Sequence, residues 1–364
     1  MAGTGGGSTG GNGAAAVALA VMLDGKLVEQ EHVQGAVIEK DMFQPDMASI
    51  VLMNQGDMYS TTKIGAPVEV KKGTEGPTLY KGQVVGLEPT YKGGQKTTIV
   101  IRCLHDLHKL LRMRKSRTWQ DKKESEVLKT VASDAGLSLE FDGADLTYKH
   151  VYQHNQTDLE FLRVRASRIG AHIWCDDKKL MVKKPQLDQG GGVKLQVDGG
   201  ESDTSLTQLT PRLSSTQIVK KVTVRGWNPE TKKLITGEAT VADSKLGSQT
   251  ASAGSLDLGK EETFTVDHPI WGEEEAKALA SGRLQELSLT YITGEAVLHG
   301  LSETTKLGTT VEVEANHAGA DDPFNGRYYI MGVTYKNMPS MQDKASKKDV
   351  AQTILRLARD AQKR

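Results

Sequence analysis

The stretch from Pro67 to Leu104, PVEVKKGTEGPTLYKGQVVGLEPTYKGGQKTTIVIRCL, decides the fold class of this chain. It begins with valines that alternate with charged residues (VEVK) and ends in TTIVIRCL, a nearly continuous run of β-branched and aliphatic residues. Alternation at period two and β-branched runs are typical of strands, and glycine and proline mark the turns between them. The stretch therefore predicts consecutive β-strands.

The residues before this stretch continue the same pattern. Asp24-Gly25 lies between two strand-like segments and predicts a hairpin turn, and Ser49–Met53 reads as a further strand. We therefore expect residues 14–112 to form an all-β first domain. The preceding residues, 1–13, are a glycine-, serine- and threonine-rich tail that we expect to be flexible.

The pattern changes to helical spacing after this domain. Asp121 followed by Glu124 resembles a capping box, and Gly136 is placed to end the helix. Between them runs an apolar stripe at helical spacing: Val127, Leu128, Val131, Ala132 and Ala135. These features predict a short amphipathic helix.

A second helix is predicted by the same signals. Thr157 and Glu160 form a capping box, and Gly170 ends the helix. The segments AHIWC and LMVKK that follow flank a polar turn and predict a hairpin. Residues 113–186 are therefore predicted to be an α+β insert.

The last part of the chain returns to strands. Residues 187–207, rich in glycine, aspartate and serine, are predicted to be a linker, and 208–364 a second β domain with one helix near 273–286. Pro229 suits a type I turn between two of its strands. The terminal segment VAQTILRLARDA is ambiguous, since its periodicity modestly favours a helix.

Composition excludes several classes of protein. The chain has 364 residues with 46 basic and 46 acidic side chains, so the general electrostatic footprint of a nucleic-acid binder is absent. The only concentrated cationic stretch, residues 109–117, favours a solvated or interface-forming segment over a phosphate contact. Two cysteines, Cys103 and Cys175, cannot supply a disulfide framework, and a reducing compartment is the default. No apolar run is long enough to span a bilayer.

Few residues suggest chemistry. Cys103, His105 and His108 form the densest set of soft metal ligands, but no fourth cysteine or histidine lies near them, and packing at a domain junction is the favoured interpretation. Three pairs of adjacent acids, Asp176-Asp177, Glu261-Glu262 and Asp321-Asp322, leave a glycosidase possible by residue type, although such pairs are usually solvated. We expect no catalytic residues, no metal and no cofactor.

Five segments, taken in order, carry a resemblance to a known family. They are Leu79–Leu137 with its LHDLHKLLRMRKSRTW passage, QHNQTDLEFLR (153–163), VRGWNP (224–229), EEEAKALASGRLQEL (273–287) and DPFNGRYYIMGVTY (322–335). Together they resemble the phage late control protein D family and the hub portion of the VgrG-type spike proteins of contractile injection systems. The resemblance covers roughly residues 27–340.

The resemblance implies a mainly β fold with an α+β insert and two β-barrel-like tube domains in each subunit. Three subunits would then form a trimeric hub, a pseudo-hexameric ring that adapts a sixfold inner tube to a threefold spike and transmits load during contraction. It also makes the C-terminal segment a strand, against its periodicity. We expect each subunit interface of such a ring to bury upward of about 2,000 Å².

The implied partners are two further copies of the chain, a hexameric inner tube or tube-initiator protein, and a separate trimeric spike protein. A tape-measure protein or cargo is a further candidate, and no specific nucleic acid and no membrane in the resting state are expected. The implied location is the bacterial cytoplasm during assembly and then a phage tail, as part of the virion, or a phage-tail-like particle. The alternatives are a hub-associated cell-wall-degrading enzyme and an effector-loading adaptor.

Two strands taken to be sheet edges, Val68–Lys71 and Val222–Trp227, are predicted to continue a sheet across subunits. Three aromatic residues, Tyr80, Trp227 and Tyr329, are further interface candidates, and for each of them a place in the core is at least as good an interpretation. The candidate interface residues are Val68, Val70, Tyr80, Val222, Val224, Trp227 and Tyr329.

Overall fold

The structure is a computed structural model of the chain. It describes residues 19–91, 93, 97–188, 192–197, 200, 202–241, 244–251, 261–266, 269–316, 322–339 and 349–362. For residues 261–265, 339, 349 and 350 only the backbone is described. The predicted tail at 1–13 therefore lies outside the described residues.

The first part of the chain is an antiparallel sheet. Its strands are β1 (Leu19–Leu23), β2 (Lys26–Leu27), β3 (Val33–Asp41), β4 (Met47–Met53), β5 (Pro67–Lys72), β6 (Thr78–Thr90) and β7 (Thr98–Leu104). They pair in the order β2-β1-β5-β6-β7-β4-β3, and the hairpin at Asp24-Gly25 is confirmed by the pairing of Leu23 with Lys26. Short 3₁₀ helices occupy Gln30–His32, Gln55–Asp57 and Asp106–Leu111.

The middle part mixes helices with short sheets. Its elements are β8 (Arg114–Lys123), α1 (Glu124–Asp134), β9 (Ser138–Asp142), β10 (Thr147–Thr157), α2 (Asp158–Arg168), β11 (His172–Asp176) and β12 (Lys179–Lys183). β8 and β10 form a two-stranded ribbon, while β11, β12 and β9 form a three-stranded sheet. The buried faces of both helices pack on these strands in one apolar core.

The last part contains a closed six-stranded barrel and a separate lobe. Its elements are β13 (Lys194–Val197), β14 (Ser205–Leu213), β15 (Lys221–Asn228), β16 (Lys233–Thr240), β17 (Gln249–Thr250), β18 (Glu261–Thr265), α3 (Glu273–Ser288), β19 (Ile292–His299), β20 (Thr310–Glu314), β21 (Gly326–Pro339), β22 (Asp349–Arg359) and β23 (Ala361–Gln362). The barrel runs β21-β20-β13-β14-β19-β22 and closes through the ladder between β22 and β21.

The elements of the lobe lie between β14 and β19 in the sequence. β16, β15 and β18 form a three-stranded sheet, and α3 packs on its inner face against Val222, Val224 and Ile270. Gly237 permits this packing, since a Cβ there would lie 2.2 Å from the backbone carbon of Ala276. The lobe is therefore a small second layer built from residues between two barrel strands.

One strand joins the first sheet to the barrel. β21 pairs with β20 through its first residues and with β3 through Gly332–Asn337, so 13 strands form one continuous sheet. The apolar residues of both parts accordingly make a single core cluster. Among the described residues, β1 and β3 share no ladder, so the expectation of a second closed barrel stays a prediction for the first part.

Several local predictions meet the structure directly. The capping box of Thr157 and Glu160 is confirmed: Thr157 N–H donates to Glu160 Oε2 at 2.8 Å, and Glu160 N–H donates to the Thr157 hydroxyl. The box at Asp121 is wrong by two residues, because β8 extends to Lys123, whose N–H donates to Glu126. The C-terminal segment is strand β22, as the resemblance implies and against its periodicity.

The predicted linker also differs from the structure. Residues 187–207 contain β13 and the first residues of β14, and β13 pairs in parallel with both β14 and β20. A four-residue parallel strand has too short a pattern to stand out within a glycine-rich segment. β13 and the first residues of β14 are thus part of the barrel wall. Among the described helices, none combines the length and apolar character needed to cross a bilayer.

Candidate functional site

The seven candidate interface residues fall into two groups. Six side chains are buried inside the chain: Val68, Val70, Tyr80, Val222, Val224 and Tyr329. Trp227 is 52% exposed. A side chain enclosed by its own chain has little surface to offer a partner, so among these residues Trp227 is the one presented to solvent.

The two strands predicted to be sheet edges are interior strands. β5 pairs with β1 on one side and β6 on the other, and β15 lies between β16 and β18. The prediction is wrong because alternation in a sequence reports which face of a strand is buried, whereas edge status depends on pairings far along the chain. Neither strand can extend a sheet into another subunit.

The ladder between β3 and β21 is the contact that fixes the two sheet halves relative to each other. Six residue pairs form it, from Gly332 opposite Asp41 to Asn337 opposite Ala36. Arg356 of β22 crosses over the ladder and donates from Nη1 to Asp41 Oδ2 at 2.7 Å. The joint is thus made by backbone pairing and reinforced by a bidentate ion pair.

Three cations of the basic run form ion pairs within the chain. Arg114 pairs with Glu160 at 3.2 Å, and Lys115 and Arg117 both contact the carboxylate of Asp158 at 2.6 Å. The Asp158 side chain is only 6% exposed. These cations form ion pairs with carboxylates that lie about 45 residues later in the sequence. They therefore stabilise the insert and do not form a free basic surface.

In the set Cys103, His105 and His108, both histidine side chains contact nearby backbone groups. The Nδ1 atom of His105 accepts from the N–H of Leu107 at 3.3 Å, and His108 Nδ1 lies 2.8 Å from the carbonyl oxygen of His105. Burial raises the pKa of the Cys103 thiol to about 12, which disfavours the thiolate that a metal would need. Within the described part of the chain, no cluster of three potential metal ligands occurs.

A buried carboxyl lies close to this region. Asp46 is 5% exposed, and its Oδ1 has no hydrogen-bond partner among the described residues. Burial raises its pKa to about 7, with the charge of Lys40 opposing the shift. The hydroxyl of Tyr80 is likewise unpartnered. Burying polar atoms without hydrogen-bond partners costs free energy, so these two groups bear on the stability of the fold.

Adjacent acids are separated in the fold. Asp177 contacts Lys81 at 3.7 Å at the end of the β11–β12 hairpin. The second pair, Glu261 and Glu262, lies in β18. Of the third pair, Asp321 lies outside the described residues. The first and second pairs lie within the described residues, and they do not share a strand or a sheet.

A cavity lies where the barrel, the insert and α3 meet. Its volume is about 580 Å³, and its walls include Phe43, Arg163, His172, Gln285, Leu289 and Met331. Burial lowers the pKa of His172 to about 4, and its Nδ1 lies 3.2 Å from the Tyr329 hydroxyl. The neutral imidazole of His172 therefore links the insert to the barrel by a hydrogen bond at the wall of this cavity.

An exposed apolar pair stands on the outer face of the lobe. Trp227 of β15 lies directly opposite Leu234 of β16, and the two are 52% and 62% exposed. The sequence motif VRGWNP marks the tryptophan, and the alternation of Val222 and Val224 with Arg225 could have placed Trp227 on the outer face, because residues two apart on a strand share a face. This pair is the clearest candidate contact surface in the part of the chain that the structure describes.

Comparison with known proteins gives a consistent fold assignment. The sequence model of the family described as Alg8 N-terminal domain matches residues 14–338. No curated protein matches the chain by sequence. Two solved structures are similar over nearly their whole length: a tail protein from Neisseria meningitidis MC58 (TM-score 0.70, 15% identity, 94% of this chain and 96% of that one) and the 43 kDa tail protein of prophage MuSo2 from Shewanella oneidensis (0.68, 14%, 94% and 98%).

A third similar structure comes from another kind of assembly. It is an E. coli protein described as a component of the type VI secretion system with structural similarity to T4 bacteriophage tail proteins. The TM-score is 0.59 at 12% identity, over 93% of this chain and 76% of that chain. At such identities the likeness establishes a shared fold: this chain has the fold of phage tail and type VI secretion proteins.

Proposed function

We propose, from the premise that this chain belongs to the Alg8 N-terminal domain family and has a tail-protein fold, that it is a structural component of a contractile tail or injection particle. Within such a particle we assign it the hub, the ring that joins a sixfold inner tube to a threefold spike. Its task is to hold geometry under load, and the proposal includes no catalytic activity.

The arrangement of strands is the observation that supports this role. The barrel has six strands, and the first part offers six more in the order β1-β5-β6-β7-β4-β3 beside the two-residue β2. The two sets are joined side by side through β3 and β21. In the proposal the two sets act as equivalent units, which allows three copies to present six similar positions to a hexameric tube while remaining threefold toward a spike.

The joint between the units suits a part that bears load. It consists of a continuous backbone ladder and the bidentate pair of Arg356 with Asp41, and apolar residues of both units share one core. Bending the two units apart would break many hydrogen bonds and open that core at once. A rigid subunit of this kind transmits force to its neighbours with little deformation.

The experiment that tests the hub role is co-assembly. The chain is mixed with the tube and spike proteins encoded beside it, and the products are imaged by negative-stain electron microscopy. We expect threefold rings that bind a tube at one end and a spike at the other. Failure to bind either protein, with the chain folded, would contradict the role.

Parallel assays separate the alternatives. Turnover of purified peptidoglycan by the chain would support the cell-wall-degrading enzyme, and we expect none. Capture of a toxin without binding to the tube protein would support the effector-loading adaptor. Because the hub role requires contact with both tube and spike, each of these results points to a different function.

A further inference from the structure

The outer face of the lobe carries a surface that we call the hairpin surface: Arg225, Trp227, Leu234 and Thr236, with Lys232 and Lys233 at the turn. Trp227 pairs with Leu234 across the ladder, and Arg225 pairs with Thr236 two residues further along. Cross-strand partners and residues two apart on a strand share one face, so these four side chains are neighbours. All six residues are exposed.

The opposite face of the same strands shows why the pair is unusual. Val222 and Val224 are fully buried against α3, as the inner face of a two-layer lobe requires. The outer face needs no apolar residue for folding at this end of the hairpin. A tryptophan and a leucine placed side by side there expose apolar area that the chain does not use for its own core.

Three cations surround the apolar pair. Arg225, Lys232 and Lys233 have no carboxylate within 4 Å among the described residues. Nearby cations are different, since Lys149 pairs with Glu230 and Lys221 pairs with Glu238. The hairpin surface therefore has an apolar centre and a positive rim.

The turn is held in place before any partner arrives. Asn228 Oδ1 accepts from the N–H groups of Glu230 and Thr231 at 2.9 and 3.0 Å, and its Nδ2 donates to the Trp271 carbonyl at 3.0 Å. Glu230 is also tied to Lys149 of β10. Such a surface loses little conformational entropy on binding, which favours affinity.

We propose that the hairpin surface docks an acidic protein surface that packs an apolar side chain against Trp227 and Leu234. The proposal rests on the structural role proposed above, in which the partner is a neighbouring component of the particle. Tryptophan and arginine are the residues that most often dominate protein interfaces. The rim of three cations matches carboxylates, and the exposed leucine needs an apolar contact that a phosphate backbone cannot provide.

The test uses the full chain and a defined probe. The probe is a fluorescein-labelled peptide in which pairs of acidic residues alternate with leucine or phenylalanine. One control peptide has lysine in place of the acids, and a second has serine in place of the apolar residues. We expect the acidic apolar peptide to bind, and Trp227→Ala or the pair Arg225→Glu with Lys233→Glu to weaken binding at least about tenfold, or 1.4 kcal/mol.

Matched variants keep this result specific. Tyr152→Ala removes another exposed aromatic side chain, 49% exposed on β10, and should leave the affinity unchanged. No binding of the acidic peptide at about 1 mM, equal binding by Trp227→Ala, or tighter binding of single-stranded DNA through the same residues would overturn the proposal.

The mass of the assembly is measured in the same samples. If the chain forms rings with tube and spike but ignores the peptide, the docking inference fails and the hub role stands. If it stays monomeric and binds neither tube nor spike, the hub role fails whatever the peptide does.

Discussion

Arg165 donates a hydrogen bond from Nε to Oε1 of Glu124 at 2.9 Å, with the two side chains 2% and 0% exposed. Glu124 begins α1, Arg165 lies in the last turn of α2, and each charge therefore complements the dipole of its own helix. The guanidinium also lies over the ring of Tyr148, 4.3 Å from its centroid. The pair fixes the two helices of the insert to each other.

Removing one partner of this pair should destabilise the chain strongly. Arg165→Met leaves the Glu124 carboxylate buried without its counterion, and we expect a loss of about 3–5 kcal/mol in the free energy of unfolding. Glu124→Leu should cost a similar amount, and the double variant should cost less than the sum of the two. Urea denaturation of the four proteins measures this coupling.

The control for this cycle is Arg283→Met. Arg283 belongs to an exposed pair with Glu286, where the two side chains are 38% and 61% exposed, and its loss should cost less than about 1 kcal/mol. Strict additivity of Glu124→Leu and Arg165→Met would contradict the proposed coupling.

Asp46 should make stability depend on pH. Burial raises its pKa in the folded chain to about 7, from about 3.9 in an unfolded chain. The folded state therefore holds the proton more tightly, and this contribution to stability is complete below about pH 4 and is lost as the pH rises toward 7. Asp46→Asn, which cannot ionise, should be more stable than the wild type at pH 8 by about 1–3 kcal/mol and should show little gain at pH 4.

Denaturant unfolding at pH 4, 6 and 8 measures this difference. Asp188→Asn is the matched control, because this carboxyl is exposed and is not among the charges that act on Asp46. A stability difference between wild type and Asp46→Asn that stays constant over this range would refute the assignment.

Gly282 should tolerate no side chain. A Cβ at this position of α3 would lie 2.6 Å from the Cα of Gly170 and 2.8 Å from its nitrogen, atoms of the backbone just after α2. Gly282→Ala should therefore push α3 away from the insert and cost more than about 2 kcal/mol, despite the higher helix propensity of alanine. Ser281→Ala, at the exposed neighbouring position, should be neutral or slightly stabilising. Thermal unfolding of both variants checks this, and equal melting temperatures would contradict it.

Local signals in the sequence specify much of the insert. The capping pair Thr157 and Glu160, the stop at Gly170 and the alternation in the β11–β12 hairpin act over a few residues, and the structure confirms each of them. The cap at α1 was misplaced because Asp121 takes a positive φ of 49° inside β8, where the strand continues past the apparent start of the helix.

Local sequence patterns do not predict which distant strands pair. β21 pairs with β3 nearly 300 positions earlier in the chain, and no local pattern identifies that partner. The same holds for β13, a strand of four residues in a glycine-rich segment, and for β5 and β15, which are interior strands. The same reasoning explains why six candidate interface residues are buried. An apolar side chain in a strand is at least as often part of the core as part of a contact surface.

The central claim is that three copies close into one ring. Multi-angle light scattering on the purified chain at micromolar concentration measures this most directly. We predict a single species of about 118 kDa, three times the 39.5 kDa of one chain, and a mass that persists on dilution as expected of an obligate assembly. A folded chain that stays at 39.5 kDa, both alone and with the tube and spike proteins added, would contradict the account.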